Sequence, residues 1–179
     1  MPSSGARERS RERGEVVDRK QLTAVVVLVA VVGGALWLRN YLSPGQIVRR
    51  QIFEAVAAFE NGKILGVMPK ISRSYSDRWG GSYESLGGNI QSVIETYDDL
   101  EMSYDIGSVD VRDGEVRIGL EFVVSGRYEG SRGAVLGTSL DPCRATLLWV
   151  EEQPGWRLKE TEELDIPEYR DELERRRDP

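Results

Sequence analysis

The sequence predicts an α+β protein: an N-terminal transmembrane helix, then helices packed on one face of a curved antiparallel sheet. Three observations lead there. A run of seventeen uncharged, mostly apolar residues lies near the N-terminus. Apolar residues then recur at helical spacing from Ile47 to Tyr97. After Asp98 and Asp99 the apolar period drops to two and stays there to Leu164.

The apolar run starts at Leu22, ends at Leu38 and reads LTAVVVLVAVVGGALWL. As a helix it would span roughly 25 Å, slightly short of a hydrocarbon core. Lys20 and Arg39 can snorkel, and Trp37 and Tyr41 stand where interfacial aromatics belong. A cleaved signal peptide competes with this reading, but a long charged stretch precedes the run and bulky residues occupy the place of a cleavage site. A buried core helix of this length would carry a polar face, which the run lacks. The expected partner of the segment from Leu22 to Leu38 is therefore the lipid bilayer.

The flanks set the orientation. The tail before the run carries Arg7, Arg9, Arg11, Arg13, Arg19 and Lys20, whereas the near flank beyond it offers Arg39, Arg49 and Arg50. The positive-inside rule places the N-terminus in the cytoplasm and the larger part across the membrane. The tail has no apolar periodicity and reads as disordered. The expected division is residues 1–20 as tail, 21–41 as transmembrane helix, 44–164 as a folded domain and 165–179 as a charged C-terminal tail.

Within the domain, Ser43-Pro44 reads as a helix start. Ile47, Val48, Ile52, Phe53, Val56 and Phe59 form its apolar stripe, with Arg49, Arg50, Glu54 and Glu60 opposite. Asn61-Gly62 stops it. A short second helix is expected over 63–68, ended by Pro69. Residues 71–79 read as irregular or as a short strand, and Gly80-Gly81-Ser82 as a turn. Ser82 and Ser85 make a poor capping box, yet Leu86, Ile90, Val93, Ile94 and Tyr97 give a third helix.

Met102, Tyr104 and Ile106 alternate, and Val109 and Val111 shift phase across Gly107, as at a bulge. Asp113-Gly114 signals a two-residue hairpin. Val116, Ile118, Leu120, Phe122 and Val124 alternate cleanly, in a strand that can run to Tyr128. Residues 126–140 hold four glycines and read as a mobile loop. Two more strands, over 143–151 and 156–164, flank a Gln153-Pro154-Gly155 turn, giving four strands in a meander.

Composition excludes several functions. The chain has 24 basic and 30 acidic side chains, a net charge of −6, and nothing that marks a nucleic-acid binder. Residues 39–179 carry 18 basic and 26 acidic side chains, a net charge of −8. There is no histidine, so every histidine-dependent triad is out. The one cysteine, Cys143, has no histidine to activate it and reads as structural. The paired carboxylates fall at turns or on opposite strand faces, and no phosphate loop, nucleophile elbow or dinucleotide fingerprint is present. No catalytic residue, metal or cofactor is expected.

The order of elements resembles the nuclear-transport-factor-2-like (SnoaL-like, cystatin-like cone) superfamily over 44–163. The resemblance is carried by the helix VRRQIFEAVAAFENGK, the link SYSDRWG, the helix SLGGNIQSVIETY, the strand MSYDIGSVDV, the Asp113-Gly114 hairpin and the closing GWRLKE. It implies a cone-like fold, a bacterial inner-membrane setting and pairing through the exposed face of the sheet, here Arg117, Glu121, Val123 and Leu148. Catalytic members build their sites from polar groups facing into the cone. In this sequence the inward phase of the best strand is apolar throughout.

Tyr75, Asp77, Arg78, Trp79 and Tyr83 form the densest polar-aromatic cluster. In the resembling fold this link runs near the cone mouth, so Tyr75, Asp77 and Trp79, with Tyr104 on the inner face, are the candidate ligand-binding residues. The competing reading has Asp77 capping backbone amides, Trp79 packed under the sheet and Tyr104 meeting one internal partner. The function expected is a membrane-anchored, non-catalytic extracytoplasmic domain for protein interaction or for a small apolar ligand. The alternatives are a SnoaL-like isomerase, dehydratase or cyclase, and an accessory scaffold of a transport or secretion assembly.

Overall fold

A computed structural model describes residues 30–34 and 41–167. The chain divides into two units, 1–40 and 41–179. In the first, residues 30–34 are helical and exposed; the rest of the expected span lies outside the described residues. Among the described residues, no helix is long and apolar enough to cross a membrane.

The second unit begins with α1, Pro44–Glu60. Proline at its first turn gives up an N–H that a helix start leaves unpaired anyway. The Ser43 side chain makes no cap; its carbonyl accepts from the Gln46 and Ile47 amides instead. Val48, Ile52 and Val56 are buried, but Phe53 is 65% exposed. The expected stripe was drawn too wide, since Phe53 sits about 100° around the helix from Ile52. Glu60 is not a solvated outer residue either: its Oε1 accepts from the Met102 amide at 2.9 Å and so ties the helix end to the sheet. Asn61 and Gly62 (φ +67°) turn the chain. Helix α2, Ile64–Val67, passes into a 3-10 turn, Met68–Lys70, which holds Pro69 rather than ending before it.

Residues 71–77 form a strand, β1 (Ile71–Asp77), parallel to the last strand. Helix α3, Tyr83–Thr96, starts with a complete capping box: Ser82 Oγ accepts from the Ser85 amide and Ser85 Oγ accepts from the Ser82 amide. A serine at the third position thus does what glutamate usually does.

The sheet continues with β2 (Asp98–Arg112), β3 (Glu115–Tyr128), β4 (Ser131–Leu136), β5 (Cys143–Glu152) and β6 (Gly155–Asp165). Its order is β1-β6-β5-β3-β2, with β4 also on β3. The bulge in β2 falls at Gly107, between Ile106 and Ser108, as expected. Asp113 (φ +50°) and Gly114 (φ +79°) make the hairpin turn.

The glycine-rich stretch 126–140 is not a loop throughout. Glu129 (φ +49°) and Gly130 (φ +83°) close a second hairpin, and β4 returns along the end of β3. Along one edge β3 is therefore paired by β5 from Glu115 to Phe122 and by β4 from Val124 onward. The meander holds for β2, β3, β5 and β6; β4 is an insertion in it, and β1 joins through its parallel pairing.

The core lies between α1 and one face of the curved sheet. Val48, Ile52 and Val56 meet Val116, Ile118, Trp149 and Trp156, with Met102, Tyr104, Ile106 and Leu147 around them. A second cluster, Val67, Ile71 and Tyr75, packs under Tyr83, Leu86 and Ile90 of α3. The Trp149 indole N–H is buried without a hydrogen-bond partner among the described residues.

Candidate functional site

The four residues singled out from the sequence have different surroundings. Tyr75 is buried in the second cluster, and its hydroxyl lies 2.9 Å from Thr161 Oγ1 on β6. Burial pushes the phenol above its ordinary range; the Thr161 hydrogen bond pulls the other way, and the nearby charge of Asp77 adds to the rise. Asp77 stands two residues on, where β1 ends. Its Oδ1 accepts from the amides of Trp79 (2.9 Å) and Gly81 (2.7 Å). The carboxylate organises a tight turn, the arrangement an aspartate readily makes with amides two and four residues ahead. A Cβ at Gly81 would lie 2.1 Å from Asp77 Oδ2, so only glycine lets the loop wrap so closely. Tyr104 packs at the margin of the α1 cluster. Trp79, half-buried, lines a cleft.

That cleft is not inside the cone. In the pairing register Gly119, Thr146 and Glu163 lie side by side, followed by Glu121, Arg144 and Asp165. These positions alternate with Leu120, Ala145 and Leu164, which share the phase of the core residues. They therefore project from the face that carries no helix. On β2, Ser108 pairs with Gly119, and Asp105 with Glu121. Arg78 and Trp79, from the turn after β1, complete a cleft of about 840 Å³. Gly119 leaves its floor open: a Cβ there would lie 2.5 Å from Ser108 Oγ.

The electrostatics are mixed. Arg144 Nε donates to Glu121 Oε1 at 2.8 Å, and its Nη1 lies 3.9 Å from Asp165 Oδ2. The Glu121 hydrogen bond and charge raise the Arg144 pKa, so its positive charge is fixed at any working pH. Thr146 Oγ1 donates to Glu163. Asp105 lies directly across from Glu121, a like-charge pair in the ladder. Further along this face Arg117 bridges Glu162 (2.9 Å) and Glu115 (3.0 Å). Exposed pairs of this kind contribute little stability each; they fix the pattern a partner would meet. No group of three or more metal-ligating side chains occurs among the described residues.

Of the four residues expected to pair copies through the sheet, Arg117 and Glu121 do project from this face. Val123 is half-buried, and Leu148 is 6% exposed. Leu148 sits in register between Arg117 and Glu160. The cleft residues on β5 and β6 were missed. The signal was there: extending the polar phase of Arg117 and Glu121 across the neighbouring strands leads to Arg144, Thr146 and Glu163.

Helices on one face of a curved sheet, an apolar interior and this strand order define the nuclear-transport-factor-2-like, cystatin-like cone fold. Solved structures support it. A candidate scytalone dehydratase from Novosphingobium aromaticivorans matches with a TM-score of 0.57 at 11% identity, over 68% of this chain and 82% of that one. A nuclear-transport-factor-2-like protein with a cystatin-like fold from the same organism matches with a TM-score of 0.54 at 12% identity, over 85% and 92%. Aln2 from a Streptomyces species matches with a TM-score of 0.55 at 12% identity, over 73% and 93%. Identities this low establish the fold alone. No family model and no curated protein matches the chain.

Proposed function

We propose that the chain is a membrane-tethered extracytoplasmic domain that works by binding a protein partner, with the helix-free face of its sheet as the contact surface. The observation that carries this reading is the position of the cleft. It opens on the face away from α1 and is walled by Trp79 and by charged side chains on four strands. The face toward α1, where a small apolar ligand or a substrate would sit in a cone, is filled by Val48, Ile52, Val116, Ile118 and Trp149. The tether is the apolar run of residues 22–38, and the basic tail before it supports a cytoplasmic N-terminus.

The candidate partners are a second copy, pairing around Arg117 and Glu121, and a different membrane protein of a transport or secretion assembly. A SnoaL-like activity would need Asp77 free for proton transfer, and its carboxylate is held by two turn amides. A photo-crosslinking residue at Thr146, in the full-length protein in its own membrane, tests the reading. A discrete adduct that fades in the Arg144→Glu background supports it, and the adduct's mass distinguishes a second copy from another protein. No adduct from Thr146, together with a small molecule retained through purification, would replace it with the ligand-holding function.

A further inference from the structure

The end of the domain where α1 begins has a surface of its own. Tyr41, Leu42 and Val111 are 47%, 55% and 46% exposed. They belong to one end: Gly45, in the first turn of α1, lies against β2, where a Cβ would stand 3.1 Å from Val109 Cγ1 and 3.7 Å from Val111 Cγ2. Tyr41 is folded back on the helix. The Arg50 guanidinium carbon stacks 4.1 Å from its ring centroid, and Arg50 Nη2 donates to the Tyr41 carbonyl at 3.3 Å. Arg49, Arg50 and Arg112 belong to this end together with Asp110, Asp113 and Glu115, the register partner of Arg112, so charge is balanced here on a domain whose total is −8. Arg112 and Asp110 pair with each other at 2.9 Å.

We propose that this end, with Tyr41, Leu42 and Val111 at its centre, lies in the headgroup layer of the bilayer. The proposal rests on the tether reading and adds an orientation to it. The connection is short. Leu38 closes the apolar run and Tyr41 opens the described domain, three residues later. At no more than ~3.6 Å per residue that connection reaches about 11 Å in any conformation. The interfacial layer on each side of the hydrocarbon is about 5–8 Å deep. A domain so tethered keeps Tyr41 in or within a few ångströms of the headgroup layer. The exposed tyrosine, leucine and valine with arginines around them have the composition that the interface accepts.

The far end of the sheet supplies the control. Val111 pairs with Val116 at the start of β3, whereas Phe122 pairs with Cys143, where the chain enters β5 after the fully exposed Leu140. Six residues of strand separate the two positions on β3, about 20 Å.

The test uses the full-length protein in vesicles of phosphatidylcholine and phosphatidylglycerol. An environment-sensitive fluorophore is attached at Val111→Cys or at Leu140→Cys; Cys143 is buried and escapes labelling under native conditions. Headgroup-labelled quencher lipid is expected to quench the fluorophore at 111 several-fold more than at 140. Arg112→Cys, on an exposed side chain, is expected to repeat the result if Val111→Cys perturbs the fold. Equal quenching at 111, 112 and 140, in protein that stays with the vesicles through alkaline carbonate extraction, would overturn the orientation and leave the tether. Release by carbonate would overturn the tether, and the orientation with it.

Discussion

Tyr75 and Thr161, far apart in the chain, share one buried hydroxyl-to-hydroxyl contact of 2.9 Å that ties β1 to β6. The pairing around it is irregular. β1 and β6 are in register at Ile71 and Leu158, and again at Ser76 and Glu160, with a slip between. The side-chain contact pins the strands where the backbone ladder is interrupted.

Tyr75→Phe is expected to destabilise the domain by about 1–3 kcal/mol, because it leaves the Thr161 hydroxyl buried without this partner. It should also change the alkaline limb of stability. The folded-state pKa is raised above the unfolded value, so the folded protein holds the phenolic proton more tightly. The stability this contributes is fully present below about pH 10 and is lost as pH rises through the folded pKa. Denaturant titrations at neutral and alkaline pH should show wild type losing stability more steeply than Tyr75→Phe above pH 10.

Asp77 separates the turn role from a ligand role. Asp77→Asn keeps an oxygen for the Trp79 and Gly81 amides and should stay close to wild type in thermal unfolding. Asp77→Ala removes that oxygen and should cost about 1–2 kcal/mol. Gly81→Ala should be at least as harmful as Asp77→Ala, since its methyl group would collide with the pinned carboxylate.

At the start of α3, Ser82→Ala removes the acceptor for the Ser85 amide and should cost about 1 kcal/mol. Ser85→Glu restores the more usual partner of the box and should match or slightly exceed wild type. The melting temperatures of the two variants check the order.

Ile118 is fully buried at the centre of the α1 cluster. Ile118→Ala should cost about 2–5 kcal/mol, the range for truncation in a packed core. Glu121→Gln, three residues on, should change stability by less than about 1 kcal/mol while weakening the Arg144 contact. Urea midpoints for the pair would separate the stabilising face from the face proposed for contact.

The clearest parts of the fold were visible in local pattern. Val116, Ile118 and Leu120 alternate without a break, and Asp113-Gly114 admits the positive φ that a tight hairpin needs. The second hairpin was hidden because β4 offers only Ala134, Val135 and Leu136 as apolar residues, while Gly133 and the flanking Gly130 and Gly137 look like loop. The parallel pairing of β1 with β6 has no local signature, since it joins segments about 85 residues apart. The cleft was obscured for the same reason. Arg144, Thr146 and Glu163 are ordinary polar strand residues one by one, and only the register of three strands brings them together. Asp77 and Trp79 belong to one polar-aromatic cluster in the sequence, and the fold uses the first for a turn and the second for a wall.

The bulge at Gly107 also bears on how these molecules tolerate crowding. β2 ends the sheet, and its outer edge faces no other described strand. An open edge of fifteen residues would be a template on which other chains could add strands and aggregate. At Gly107 the ladder slips, so an incoming strand in register with one half of β2 is out of register with the other. Asp98 and Asp105 add negative charge along the same strand, while Asp99, Glu101 and Asp110 are paired with Arg127, Arg132 and Arg112. Wherever copies are held close together, that interruption keeps neighbours from fusing into a continuous sheet.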